Sequence, residues 1–140
     1  MSVLVTGSFD LLHSGHIAFL KEASLYGKLF VGIGSDKSIK WLKKRPTVYT
    51  QEERLFMMQA IRYVDMAWIN SGIGNLDFAD DLLKYHTFLM WTDKLIVNED
   101  QDFPEKREFC DKNNIEYIVL KRIPEPGLPV RSTTALRNGR

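Results

Sequence analysis

One cysteine, no long apolar run and almost no net charge mark this 140-residue sequence, and each absence excludes a class of protein. Cys110 alone cannot form an internal bridge, so a disulfide-stapled secreted scaffold is excluded and a reducing cytoplasm is the natural setting. It reads as a small buried hydrophobe, not as a nucleophile. No apolar stretch nears the ~20 residues of a membrane span. Strand-like sequence starts almost at Met1, so no signal peptide is expected. With 19 basic and 18 acidic residues the net charge is +1, too little to recruit nucleic acid or a membrane surface. Repeats, low-complexity tracts and linkers are missing too. What is present suits one domain over residues 1–140, because a hydrophobic fraction of 44% allows a core without staples.

Short β-branched runs alternate with helical periodicity. Strands are predicted at residues 3–6, 29–33, 66–69, 95–97 and 117–120, and helices at 13–26, 50–63, 77–85, 105–113 and from about 132. Ile17, Leu20 and Ala23 share one face of the first helix, which Gly27 stops. Thr50 with Glu53 is a capping box that opens the second, whose Leu55, Met58 and Ile61 face inward. Such alternation predicts a three-layer α/β domain, with five parallel strands and helices on both faces. Ligands bind beyond the carboxyl ends of such strands. The loops after Thr6, Gly34, Ile69, Val97 and Leu120 are therefore where chemistry is expected.

The first of these loops reads Gly7-Ser8-Phe9-Asp10-Leu11-Leu12-His13-Ser14-Gly15-His16. A buried strand runs into glycine and a helix starts a few residues later, so backbone amides and the helix dipole can hold a phosphate. His13 and His16 are three apart and project from one side of the first turn. There they can donate to phosphate oxygens and favour the charge that builds as an α-phosphate is attacked. Gly15 between them leaves room for a base or ribose.

This segment resembles the HxGH signature of the cytidylyltransferase-like nucleotidyltransferases in its long form, GxFDxxHxGH, matched at Gly7, Phe9, Asp10, His13, Gly15 and His16. The resemblance implies a Rossmann-like fold and transfer of a nucleotidyl group, with Gly7, Ser8, Phe9, Asp10 and Gly15 around the nucleotide. It makes His13 and His16 catalytic, and it adds Lys44 as the foremost cation of a basic segment (Lys37, Lys40, Lys43, Lys44, Arg45), with Lys43 second and facing the substrate. Arg54 falls where relatives carry an arginine that binds phosphate or shapes the site, with surface pairing to Glu53 or Gln51 as the plainer role. Ser132-Thr133-Thr134, with Arg131 before and Arg137 after, resembles the hydroxyl run that contacts the triphosphate.

Two departures bear on the substrate. The acidic loop after the fourth strand lacks the family's glycines. Asn98 and Asp100, with Asp10, are the candidates for the acceptor there, although Trp91-Thr92-Asp93-Lys94 also falls near the expected place. After Arg122 the chain runs Ile123 to Val130 where the cytidylyl form has only glutamate and glycine before its hydroxyls, which weakens the case for cytidine. The expected reaction is NTP + R-phosphate → NDP-R + pyrophosphate, with no covalent enzyme intermediate. CTP is narrowly favoured over ATP, and the acceptor is a polyol, sugar or flavin-type phosphate. Mg²⁺ is expected on the triphosphate with few protein ligands, and a homodimer fits the relatives, with Trp41 and Trp68 as candidate contacts. A non-catalytic nucleotide sensor is the main rival. A dinucleotide-binding dehydrogenase would need GxGxxG, which Gly7-Ser8-Phe9 does not supply.

Overall fold

Runs of valine, isoleucine and leucine too short to cover themselves are buried here by pairing side by side. The computed structural model describes residues 2–85 and 92–139. Strands β1 (Ser2–Gly7), β2 (Lys28–Ile33), β3 (Met66–Ile69), β4 (Thr92–Asn98) and β5 (Glu116–Leu120) form one parallel sheet in the order β3-β2-β1-β4-β5. β1 is central, and its register sets Gly7 beside Ile33 and Val5 beside Ile96. Its alternate residues feed opposite faces, as the period of two in a strand requires. Val3 and Val5 pack with Leu20, Ala23 and Met58 on one side, while Leu4 joins Phe78, Leu82 and Cys110 on the other. Burying each such side chain contributes about 1.5–3 kcal/mol.

Helices α1 (Ser14–Ala23, followed by a 3-10 turn at Ser24–Tyr26) and α3 (Gln51–Gln59) carry the first of these faces. α4 (Ala79–Tyr85) and α5 (Pro104–Lys112) carry the second. Two short helices complete the set, α2 (Asp36–Lys43) and α6 (Thr133–Arg137). The three-layer arrangement is the one that the alternation of strands and helices predicts.

Four boundaries differ from expectation, each for a local reason. His13 is the cap of α1, not its first residue, because its own side chain accepts from Gly15 N–H. α3 ends at Gln59, before the expected 63, and residues 61–64 form a turn in which Val64 N–H donates to Ile61 O. The basic segment expected as a loop is largely α2, capped by Ser35 Oγ on Ser38 N–H and anchored by buried Ser38 and Ile39. Thr92, Asp93 and Lys94 lie inside β4, so the carboxyl end of that strand is Asn98 and the acidic loop is residues 98–102; Trp91 lies outside the described residues. Trp68 is half-buried against Phe30 with its Nε1 donating to Asn70, whereas Trp41 stands exposed.

Candidate functional site

Strand order reverses between β1 and β4, where a parallel sheet opens a crevice at its carboxyl edge. A cleft of about 470 Å³ occupies that place. The loop leaving β1 forms its floor. Phe9 and Leu11 both adopt left-handed backbone, φ 50° and 51°, which is strained for non-glycine residues and turns the loop back sharply. The Phe9 ring folds under Gly7, where a Cβ would sit 3.0 Å from it, and meets His16 edge-on at 5.5 Å.

The two histidines cap their own helix reciprocally. His13 Nδ1 accepts from Gly15 N–H at 3.0 Å, and His16 Nδ1 accepts from His13 N–H at 3.1 Å. With both Nδ1 atoms accepting, the hydrogen-bond network assigns the ring proton to Nε2 in each neutral ring. The rings stack at 3.8 Å. Burial, then His13 and Arg122, push the His16 imidazole down to about 3; burial, then Arg122 and Arg131, lower His13. Two neutral rings, each with one committed acceptor and one N–H donor, therefore face the cleft.

The same geometry bears on two readings. A Cβ on Gly15 would meet the His13 ring at 2.9 Å, so the missing side chain makes room for the histidine itself. The amides of Gly15 and His16 are occupied by His13 Nδ1 and His13 O, so neither is free to hold an anion.

The opposite wall is the 121–131 stretch. Arg122 ties it down, with Nη1 on Asp100 at 2.8 Å, Nη2 on the Arg131 carbonyl at 2.9 Å and its backbone N–H on Glu99 at 3.0 Å. Arg131, Ser132, Thr133 and Thr134 line the cleft; Ser132 Oγ accepts from Ala135 N–H to start α6, and Thr133 Oγ1 donates to the Asp10 carbonyl. Asn98 and Asp100 also line it, Asn98 Oδ1 accepting from Asp100 N–H.

Three further candidates sit apart. The Asp10 carboxylate is buried and accepts from Val48 and Tyr49 N–H at 2.8 and 2.9 Å, with Arg137 at 3.4 Å, so it holds the 47–49 strap and does not face the cleft. Arg54 is fully buried. Its guanidinium donates to the carbonyls of Ser8, Gly34 and Tyr49 and to Asp36, with no surface pairing to Glu53 or Gln51, so it shapes the site from beneath. Lys43 reaches the cleft, its ammonium lowered by burial and by Arg45 and Arg137, while Lys44 caps α2 in left-handed backbone with its Nζ 5.4 Å from the Trp41 ring. Helical register separates the two lysines.

A loop-borne histidine pair and a hydroxyl run thus line one cleft at the end of β1. The sequence pattern of the cytidylyltransferase-like family matches residues 4–138. This chain belongs to that family. Among cytidylyltransferase-like proteins, a FAD synthase from Thermococcus kodakarensis is 43% identical over 125 residues, covering 87% of this chain and 78% of its own. A glycerol-3-phosphate cytidylyltransferase from Staphylococcus aureus is 31% identical over 120 residues, covering 86% and 83%. The crystal structure of a lipopolysaccharide core biosynthesis protein from Thermoplasma volcanium shares the fold, with a TM-score of 0.70 at 23% identity over 89% of this chain and 98% of that one. The cytidylyltransferase-like chain is thus a nucleotidyltransferase enzyme. Among the described residues no group of three or more His, Cys, Asp or Glu is gathered as a metal site, and no helix is long and apolar enough to cross a membrane.

Sequence reasoning assigned no role to Arg122, which stood only as the start of a partly matching motif. It also ranked Lys44 above Lys43. Only the register of α2, a helix hidden under its charges, could have reversed that order.

Proposed function

We propose that this nucleotidyltransferase moves AMP from ATP to FMN, releasing pyrophosphate and forming FAD. The observation that carries the reading is the 43% identity to a FAD synthase across 87% of the chain. The long insertion after Arg122 agrees, since it departs from the cytidylyl form, and ATP therefore replaces the CTP that the first loop alone favoured. In the proposed step a phosphate oxygen of FMN attacks Pα of ATP in line, the Pα–O bond forms, and the Pα–O–Pβ bond breaks with its electrons on pyrophosphate. The attacking oxygen is already anionic, so no general base is needed and catalysis rests on placement and charge. His13 and His16 donate their Nε2–H groups to the oxygens that gain charge. Arg122 and Arg131 neutralise the triphosphate, the Ser132–Thr134 hydroxyls hold it, and Lys43 meets the incoming phosphate.

Among the described residues no group of three or more His, Cys, Asp or Glu could hold a metal ion, and in the proposed reaction magnesium arrives with the substrate, as the Mg–ATP complex. The test is product analysis of the purified protein with Mg–ATP and FMN, and separately with Mg–CTP and glycerol 3-phosphate. FAD with equimolar pyrophosphate supports the proposal. CDP-glycerol in its place would transfer the reading to the second relative, the glycerol-3-phosphate cytidylyltransferase. Nucleotide binding without pyrophosphate from any acceptor would make the chain a sensor.

A further inference from the structure

A second, smaller cavity of about 60 Å³ adjoins the cleft and shares Thr6, Gly7, Ser8, Lys43 and Gln101 with it. Two charged side chains used by nothing above line it. Lys106, from the first turn of α5, is 3% exposed, and Asp77, just before α4, is 9% exposed. Lys106 Nζ gives one N–H to the Gln101 carbonyl at 3.2 Å and lies over the Phe103 ring. The Asp77 carboxylate faces the end of β2, where a Cβ on Gly34 would come 3.5 Å from its Oδ2. The loop around it is built closely, since a Cβ on Gly72 would strike the Asp77 carbonyl at 2.6 Å. Ser38, fully buried, accepts from Gly74 N–H at 3.0 Å and keeps its own O–H to donate.

Burying a lysine and an aspartate beyond ion-pair distance costs free energy that the fold alone does not require. Burial pushes the Asp77 carboxyl up to about 6, against Asn70 and Lys106 and with Asp81, and it lowers the Lys106 ammonium against Asp77. The cavity thus offers strong donors and a strong acceptor side by side. A phosphate would be repelled by the carboxylate, and an apolar group would leave both charges unpaired. Hydroxyls, which donate and accept, fit both. The room is enough for a short run of hydroxylated carbons and far too little for an aromatic ring system.

We propose that this cavity is the acceptor subsite and that Asp77 and Lys106 select a polyhydroxylated chain next to the acceptor's phosphate. The proposal rests on the reading of the chain as a nucleotidyltransferase with a phosphorylated acceptor, and it deepens that reading. It names the chemistry common to the two acceptors tested above: FMN carries a ribityl phosphate and glycerol 3-phosphate is itself a polyol phosphate.

The test is calorimetric binding of ribitol 5-phosphate and of pentyl phosphate to the wild-type protein carrying a non-hydrolysable ATP analogue. Ribitol 5-phosphate is expected to bind roughly tenfold more tightly or better, as charged hydrogen bonds imply. In Asp77→Asn and Lys106→Met the preference should shrink, with affinity for the ATP analogue within about twofold of wild type. Equal affinities for the two phosphates, or no binding of either, would overturn the subsite. A variant that fails to fold leaves the wild-type comparison intact. Preference for ribitol 5-phosphate without FAD formation would keep the subsite and discard FMN; FAD formation with no such preference would do the reverse.

Discussion

Across the cleft stand the His13–His16 turn, whose rings are fixed by N–H donors of their own helix, and the 121–131 stretch, whose arginines reach in from exposed backbone. The first wall carries no charge at neutral pH, because burial keeps both imidazoles neutral. The second is cationic and fastened at Arg122 by Asp100 and Glu99, with Arg122 in turn holding the Arg131 carbonyl. In the proposed step one wall donates to the oxygens that gain charge, and the other attracts the triphosphate. The contrast teaches that a phosphate site divides between rigid neutral donors, which serve the transition state, and looser cations, which serve binding.

The largest effect expected from breaking this contrast is at His16. Alanine there should lower kcat by about 10²–10³-fold, the usual loss of a positioned donor, while the melting temperature falls only by what one cap contributes, about 1 kcal/mol. Steady-state kinetics beside a thermal melt read both, and an unchanged kcat would remove the catalytic role. Arg122→Ala should act differently, raising KM for ATP roughly tenfold and lessening its dependence on salt, with kcat little altered. If kcat fell instead, the two walls would share one role.

The smallest effect is on stability. The unfolded chain takes a proton on His16 near the ordinary histidine value of 6.5, and the fold accepts it only near 3, so the unfolded state binds more protons between these limits. Stability is therefore full above 6.5 and declines as pH falls through that window. Urea midpoints at pH 7 and pH 5 should show the decline, and His16→Ala should reduce it. A wild-type midpoint that does not move would mean that the ring is charged in the fold.

Strands, layers and the histidine loop were legible because each rests on local sequence: apolar runs between glycines, and a motif whose parts lie within ten residues. The hydroxyl run was legible for the same reason. α2 was not, since Lys37, Lys40 and Lys43 hide a buried face made only of Ser38 and Ile39. For Arg54, binding phosphate, shaping the site and surface pairing all stood open, because its partners, the carbonyls of Ser8 and Gly34, have no side-chain signature. Asp77 and Lys106 fell in predicted helices with no role assigned; only the fold brings them to one cavity, across 29 positions of sequence.

Arg54 also bears on how a chain with one cysteine keeps its loops in place. Its guanidinium joins the backbone at Ser8, 46 positions away, to that at Gly34, 20 away, and reaches Asp36 as well. It works as a three-way cross-link without a covalent bond, restricting the same loop closures that a disulfide would restrict. Unlike a disulfide it has no redox chemistry, and unlike lysine or histidine it keeps its charge across the working pH range. The junction beneath the cleft is thereby insulated from reductant, and its guanidinium stays charged while the imidazoles above it lose their protons as pH rises.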